Sequence, residues 1–493
     1  MQLEKSYWFL ILISAFYFFV AWNSSGYNNA DEHFQIIEFA NYKLGHSTIN
    51  DLAWEYKARV RPGLQPALCY LVFNSAYLLG ISDKYNMALI LRFMSALVSL
   101  VVIYWFVIGA RPVIAKRNFN YFVVLSFLLW FLPYINVRFS SESWSGTLFM
   151  ASLAAIQSQY HKGAIKKPFI LGILLGASIL FRYQSSLLVM GTILWLLFVD
   201  KAGLKKISII TSSIITMLLL GFFIDRWLYD ANAFSLYNYF YVNIVKGVAS
   251  NYGTSPWYEI MWYIIISPGI IGIYIFSAII ILLIIEPKSI LLWAIAPFLI
   301  VHSIIPHKEL RFLFPIANLV PFILILAYQK TRHLRLLKIR LFKYAASAIF
   351  LVVNTAGLVA ITCKGAGKAD ISVTQYIHRH YSGQKVNVLC IDGLNPYWDY
   401  VNPRSYFYNS NEVELTFITT IWQNELVNKR KKGLVNLLII SDNEIAGQRS
   451  AQLLEENNFV KVFQSIPDVV KAINNFYDPS LNDYNLIVYE YGD

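Results

Sequence analysis

Residues 86–117 read NMALILRFMSALVSLVVIYWFVIGARPVIAKR, an apolar run with one charge, Arg92, that ends against Arg111, Lys116 and Arg117. As an α-helix, residues 86–109 would extend about 36 Å, enough to cross a hydrocarbon core of about 30 Å. The basic cluster that follows is of the kind retained on the cytoplasmic side. The same pairing recurs in both directions. Apolar runs occupy residues 6–22, 86–109, 119–137, 144–160, 168–181, 185–199, 207–224, 258–285, 290–304, 312–328 and 341–361. They predict a polytopic α-helical membrane protein of about eleven transmembrane helices, the first an uncleaved anchor because no small-residue cleavage site follows Trp22. Of the 493 residues, 57% are hydrophobic and 14% charged, against about a quarter charged in soluble domains. That balance excludes an ordinary cytosolic enzyme and a disordered scaffold.

The net charge of +12 reflects topology. Five short connections hold Arg111, Lys116 and Arg117; Lys162, Lys166 and Lys167; Lys201, Lys205 and Lys206; Lys288; and Lys330, Arg332, Arg335, Lys338, Arg340 and Lys343. These loops alternate with the others in the order the positive-inside rule requires, so the basic excess is topogenic and no nucleic-acid partner is expected. Residues 23–85, 225–257 and 306–311 then fall on the non-cytoplasmic side. Within the first loop, residues 62–80 are apolar, but Pro62, Pro66 and Asn74 argue for an interfacial or re-entrant segment.

After residue 361 the composition changes. Residues 362–369 (TCKGAGKA) form a Gly/Lys-rich linker, and 370–493 read as a soluble non-cytoplasmic α/β domain. Its expected strands are 385–391, 415–420, 434–441 and 485–489, with helices at 371–381 and 443–457. Gly365 to Lys368 lacks P-loop spacing. Cys69, Cys363 and Cys390 suit neither a disulfide framework nor a zinc site.

Charged residues are costly in such a chain, and four clusters fall in the outer loops. The first is Asn29-Ala-Asp31-Glu32-His33-Phe-Gln35, before a helical pattern that suits an amphipathic helix on the membrane, with the two acids capping its start. The second is Trp54-Glu55-Tyr56-Lys57-Ala-Arg59-Val-Arg61-Pro62. The third, His307-Lys308-Glu309-Leu-Arg311-Phe312, reads either as a snorkelling turn or as an anion site gripping a phosphate. The fourth is the aromatic loop with Tyr252-Gly253-Thr-Ser-Pro256-Trp257. Arg138 and Glu142 suggest a local ion pair. An outer carboxylate, a cationic turn and an aromatic cleft fit group transfer from a lipid-linked phosphate. The carboxylate would accept a hydroxyl proton and the cations would stabilise the departing phosphate.

These clusters resemble the lipid-phosphate-mannose-dependent α-mannosyltransferases, glycosyltransferase family 22, which include the GPI-anchor and ER N-glycan mannosyltransferases of the glycosyltransferase C superfamily. The family's Asp-Glu-His/Arg-Phe-Gln matches Asp31 to Gln35, and its Trp-Glu-aromatic, Arg and Pro match Trp54-Glu55-Tyr56, Arg61 and Pro66. Tyr-Gly-x-x-Pro-Trp matches Tyr252 to Trp257, with Asn243 and Gly247 upstream, and His-Lys-Glu-x-Arg-Phe matches His307 to Phe312. The matches keep family order over residues 20–320. Asn29-Ala30 replaces the usual His-Pro, and Arg61-Pro62 the usual Arg-Ser, which leaves the acceptor open. The resemblance implies a glycosyltransferase C fold and inverting transfer of a hexose, mannose first, from a polyprenyl- or dolichyl-phosphate donor to a glycan or glycolipid acceptor hydroxyl. It assigns catalysis to Asp31 and Glu32, with Asp31 the base, and the donor phosphate to His307, Lys308, Arg311 and Arg61. His33, Gln35, Trp54, Glu55, Glu309, Tyr252 and Trp257 would contact substrate, with no metal or cofactor. The membrane would be a bacterial inner membrane or the ER, the site periplasmic or luminal. A related transferase of another sugar, or a multi-pass transporter or flippase, is the alternative; transporters place their charges within the spans, unlike these loops.

Overall fold

The computed structural model describes residues 3–160, 167–367, 369–397, 406–420, 423–445, 448–476 and 485–492. Lys162, Lys166 and Lys368, to which the sequence assigns topogenic and linker roles, lie outside them. Each apolar run folds as helix, either continuous (Tyr7–Asn23, Lys84–Ala110, Ser141–Tyr160, Pro168–Phe181, Ser186–Phe198, Leu204–Tyr229, Ile290–Ile304, Arg340–Thr362) or broken. Among the described residues, three helices are long and apolar enough to cross a membrane alone: Lys84–Ala110, Leu204–Tyr229 and Arg340–Thr362. The number rises to six when each bent pair is one span. Eleven runs thus do not translate into eleven straight crossings. Pro168–Phe181 has only 14 residues, short of the roughly 20 that a crossing takes. Other runs are bent, as in Lys116–Leu128 with Phe131–Val137, at 51°.

A break among apolar helices strands backbone groups that must find partners. At the 51° break, the Asn354 amide donates to Leu128 O at 2.8 Å and accepts from Trp130 N at 2.8 Å. At the 67° break between Leu310–Ala317 and Val320–Thr331, the bend is pinned side chain to side chain: Asn318 exchanges carboxamide hydrogen bonds of 2.8 and 2.9 Å with Asn136. Both carboxamides are buried. Ser267-Pro268-Gly269 separates Glu259–Ile266 from Ile270–Ile285, and Gly269 takes φ +66° where a side chain would be strained.

Helix Pro168–Phe181 packs against Leu204–Tyr229 and Ser141–Tyr160. Gly172 permits the first contact, because a Cβ there would overlap Ile210 and Ser213. Ser178 Oγ donates to Ser145 O at 2.9 Å across the second. Leu64–Leu78 is an unbroken 15-residue helix of about 22 Å, too short to cross. Pro66 sits in its first turn, where a missing N–H costs nothing.

The chain separates into two compact units. One comprises Met1–Ala21, Glu55–Leu68 and Leu91–Val359; the other comprises Trp22–Trp54, Cys69–Ile90 and Ala360–Asp493. The second unit contains a five-stranded sheet: β1 (Val386–Ile391), β2 (Val413–Ile418), β3 (Val435–Ser441), β4 (Phe459–Gln464) and β5 (Leu486–Tyr491), in the order β2-β1-β3-β5-β4. β1 pairs in parallel with β2 and β3, and β5 antiparallel with β3 and β4. Val388 and Leu437 enter one apolar cluster, Leu389 and Leu438 another, so both faces of the central strands are covered. The sequence reading missed β4, an edge strand with mixed exposure. The expected helix 371–381 is Asp370–His380. Cys69, Cys363 and Cys390 form no disulfide.

Candidate active site

In the first unit the turn after helix Ile290–Ile304 is a chain of alternating charges. Glu309 accepts from Arg311 Nε at 2.6 Å and Arg311 Nη2 at 2.9 Å, a two-pronged grip. Its Oε1 also meets His307 Nε2 at 2.9 Å. Arg311 Nη1 reaches on to Glu142 Oε1 at 3.3 Å, and the same oxygen accepts from Arg182 Nη1 at 2.7 Å. Glu142, Arg182 and Arg311 are all buried. The ring of Phe312 lies 5.3 Å from the Arg182 guanidinium and 5.8 Å from that of Arg311. Sequence spacing suggested that Glu142 pairs with Arg138. Instead its carboxylate turns to Arg182 and Arg311, which come from two distant loops, while Arg138 lies buried with its guanidinium 5.6 Å from the Tyr134 ring.

This arrangement fixes protonation. Burial works to raise the Glu309 carboxyl, but Arg311 and His307 overcome it and hold the group well below the usual carboxylate range. The hydrogen bond to Glu309 lifts the His307 imidazole above its ordinary value, against the effect of burial. Lys308 is turned inward. Its ammonium donates to Ile305 O at 2.6 Å and Ser255 O at 3.1 Å, and burial lowers its pKa. Lys308 therefore ties the turn to the aromatic loop rather than presenting its charge outward. Ser255 N donating to Pro306 O at 2.9 Å makes the tie two-stranded. His307 Nδ1 meets Gly253 O at 3.2 Å, and the Tyr252 ring is 6.0 Å from His307. The third and fourth sequence clusters thus form one structure, with Trp257 exposed beside it in sequence.

The second cluster is anchored on the end of helix Leu204–Tyr229. Tyr56 OH donates to Leu228 O at 2.6 Å, and Tyr229 OH donates to Arg61 O at 2.7 Å while accepting Arg61 N at 3.2 Å. Asp225 accepts Gly63 N at 2.7 Å and is hydrogen-bonded to Ser235, whose hydroxyl also meets Tyr183 OH. The Arg61 guanidinium lies 3.6 Å from Glu55. Trp54, which opens helix Trp54–Ala58, is partly exposed. Sequence reasoning passed over Asp225 and Tyr229, which fix the backbone on either side of Arg61.

The first cluster, in the second unit, opens a helix. Asn29 is its N-cap, its side chain accepting Asp31 N at 3.2 Å, and Asp31 and Glu32 lie in the first turn. Gln35 Nε2 donates to Asp31 Oδ1 at 2.7 Å. His33 is fully buried, its Nε2 3.0 Å from Glu38 Oε1. The expected helix is present over 30–43, but its polar residues His33, Gln35, Glu38 and Asn41 are buried alongside Phe34, Ile36, Phe39 and Ala40. It is a packed helix, enclosed on its polar side too.

Among solved structures, the fold is similar along 98% of both chains to ArnT from Cupriavidus metallidurans bound to undecaprenyl phosphate, with a TM-score of 0.52 at 11% identity. The likeness is one of fold: a multi-pass membrane protein of the glycosyltransferase C class with a small C-terminal sheet domain. Among sequences, the chain is 26% identical over 350 residues to GPI mannosyltransferase 3 of Candida albicans, covering 68% of this chain and 66% of that one. It is 29% identical over 148 residues to a probable Dol-P-Man:Man(7)GlcNAc(2)-PP-Dol alpha-1,6-mannosyltransferase of Schizosaccharomyces pombe, covering 29% and 26%. The match thus spans just under two thirds of the first relative and about a quarter of the second. The profile of the Alg9-like mannosyltransferase family matches residues 7–402, from the first helix through the turn at His307 and past the first strand of the sheet, and with about four fifths of its length matched, the chain belongs to that family.

Proposed function

We propose that the protein transfers mannose from a polyprenyl- or dolichyl-phosphate donor to a hydroxyl of a glycan or glycolipid, with inversion at the transferred carbon. The acceptor oxygen forms the new bond to C1 as the C1–O bond to the lipid phosphate breaks, and the acceptor proton passes to Asp31. The negative charge left on the phosphate is met by His307 and Arg311, with Arg61 a further cation and Lys308 contributing charge from beneath the turn. Glu32, Gln35, Trp54, Glu55, Tyr252 and Trp257 orient the substrates, while Glu309 holds the cationic turn and His33, fully buried against Glu38, supports the Asp31 helix from within. The reaction takes place on the luminal or periplasmic side, in keeping with the basic loops opposite.

The observation that carries this reading is the turn itself. Three cations, His307, Arg311 and Arg182, share two carboxylates, Glu309 and Glu142, leaving a net positive charge with His307 protonated, to which Lys308, held by backbone carbonyls, adds. Such a turn is suited to a phosphate in surroundings of low dielectric. The test is to incubate membranes containing the protein with radiolabelled dolichyl-phosphate mannose and follow label into lipid-linked glycans. Label should appear with the wild type and fall to background with Asp31→Asn. Transfer unaffected by that substitution would remove Asp31 as base, and no transfer from this donor by the wild type would refute the mannosyl reading.

A further inference from the structure

The helix that carries Asp31 has a fault in it. Ala30–Glu32 and Glu38–Lys43 are α-helical, but His33–Ile37 between them is a π turn, closed by Glu38 N bonding to His33 O. Such a turn inserts one residue into the helix, and isolated π turns cluster at functional sites. Relaxing it into α register would swing the segment before it by about 100° relative to the segment after it. Gln35, whose amide holds Asp31 Oδ1, lies inside this turn. The direction of the Asp31 carboxylate therefore depends on whether the π turn persists.

The C-terminal domain grips that turn. His33 lies between two rings: Tyr27, with centroids 5.2 Å apart and planes at 24°, and Tyr408, at 5.2 Å and 15°. Glu38 Oε1, which partners His33 Nε2, also accepts the backbone N–H of Phe407 at 2.9 Å. Phe407 stacks on Phe73 at 5.1 Å and 10°, and Tyr408 on Tyr85 at 4.9 Å and 27°. Both ends of the π turn thus meet one dipeptide some 370 residues away: the ring of Tyr408 covers His33, and the amide of Phe407 bonds Glu38.

We propose that Phe407 and Tyr408 are positioning residues for Asp31. They lock the π turn through His33 and Glu38, and so give the C-terminal domain a part in the transfer reaction. This rests on the reading of Asp31 as the base. The variants that test it are Tyr408→Leu, which fills the space without a stacking face, and Tyr408→Phe, which keeps the ring. Full-length protein is assayed for maximal rate and donor KM with dolichyl-phosphate mannose, and by hydrogen–deuterium exchange of the peptide covering residues 30–38 in detergent. Tyr408→Leu should lower the maximal rate about 10- to 100-fold, the scale of a misplaced catalytic group. Donor KM should change less than threefold, exchange in residues 30–38 should quicken about tenfold, and Tyr408→Phe should recover most of both losses. Exchange at the wild-type rate in Tyr408→Leu would overturn the lock, and so would faster exchange with an unchanged rate of transfer. Faster exchange in a protein whose wild type does not use this donor would uphold the lock on the turn and refute the mannosyl reading alone.

Discussion

The cationic turn and the Asp31 helix hold their carboxylates differently. Glu309 is gripped by both sides of one guanidinium and by an imidazole, and those cations keep it ionised far below neutral pH. Asp31 receives the amide of Gln35, a neutral donor. A carboxylate fixed by cations is a poor proton acceptor because protonation would break its ion pairs. Its ion pairs make Glu309 part of the scaffold, and the base role proposed for Asp31 is what substitution has to test.

Asp31→Asn puts that distinction to the strongest test. The amide keeps the shape of the side chain and removes the acceptor, so turnover should fall about 10²–10⁴-fold with the protein still inserted and folded. Rate measurements on Glu32→Gln beside it should show a smaller loss. A dead Glu32→Gln with an active Asp31→Asn would exchange their roles.

Glu142 tests the scaffold side. It is a buried carboxylate shared by two buried arginines, and breaking such a set by removing one partner typically costs about 3–5 kcal/mol. Glu142→Gln should therefore lower the thermal midpoint of the purified protein by many degrees, whereas Asp31→Asn should leave it within a degree or two. Equal midpoints for the two variants would erase the contrast between the regions.

Arg311→Ala comes next. It removes a cation from the turn and should reduce transfer at limiting donor about 10²–10³-fold, the usual effect of losing one electrostatic stabiliser. Full turnover in this variant would make the turn an anchor only.

Much of this organisation is legible in the sequence, and the illegible part has one physical character. Apolar runs fold as helix because burial in lipid leaves the backbone no other continuous solution, so 290–304 and 168–181 match their helices residue for residue. The breaks are hidden because they are completed from afar: Trp130 needs Asn354, and Asn136 needs Asn318. The His307–Phe312 turn reads out locally as a dense charge cluster. Arg182 is visible as a lone charge between two apolar runs, but nothing nearby in sequence names Glu142 as its partner. Asp31 and Gln35 stand at helical i, i+4 spacing and their contact is implicit, whereas the π turn between them depends on Tyr408 and Phe407.

The smallest effect concerns His307, where the two kinds of carboxylate setting lead to a pH dependence. Its imidazole sits above the ordinary value of 6.5 because it is hydrogen-bonded to Glu309. A group with a raised folded-state pKa contributes fully below its unfolded value and loses that contribution as pH rises through the raised one. The positive charge it offers a donor phosphate is thus complete near pH 6 and fades above pH 6.5, while Arg311 stays charged throughout. Donor KM should rise about threefold to tenfold between pH 6 and pH 8.5. That is less than the full effect of a buried stabiliser, because His307 is only partly shielded and water screens its charge. His307→Gln should start near the high-pH KM and stay flat across the interval, and Glu309→Gln should move the rise to lower pH by removing the partner that lifts the imidazole. A KM that rises equally in His307→Gln would assign the titration to another group and leave Arg311 as the cation of the turn that meets the phosphate.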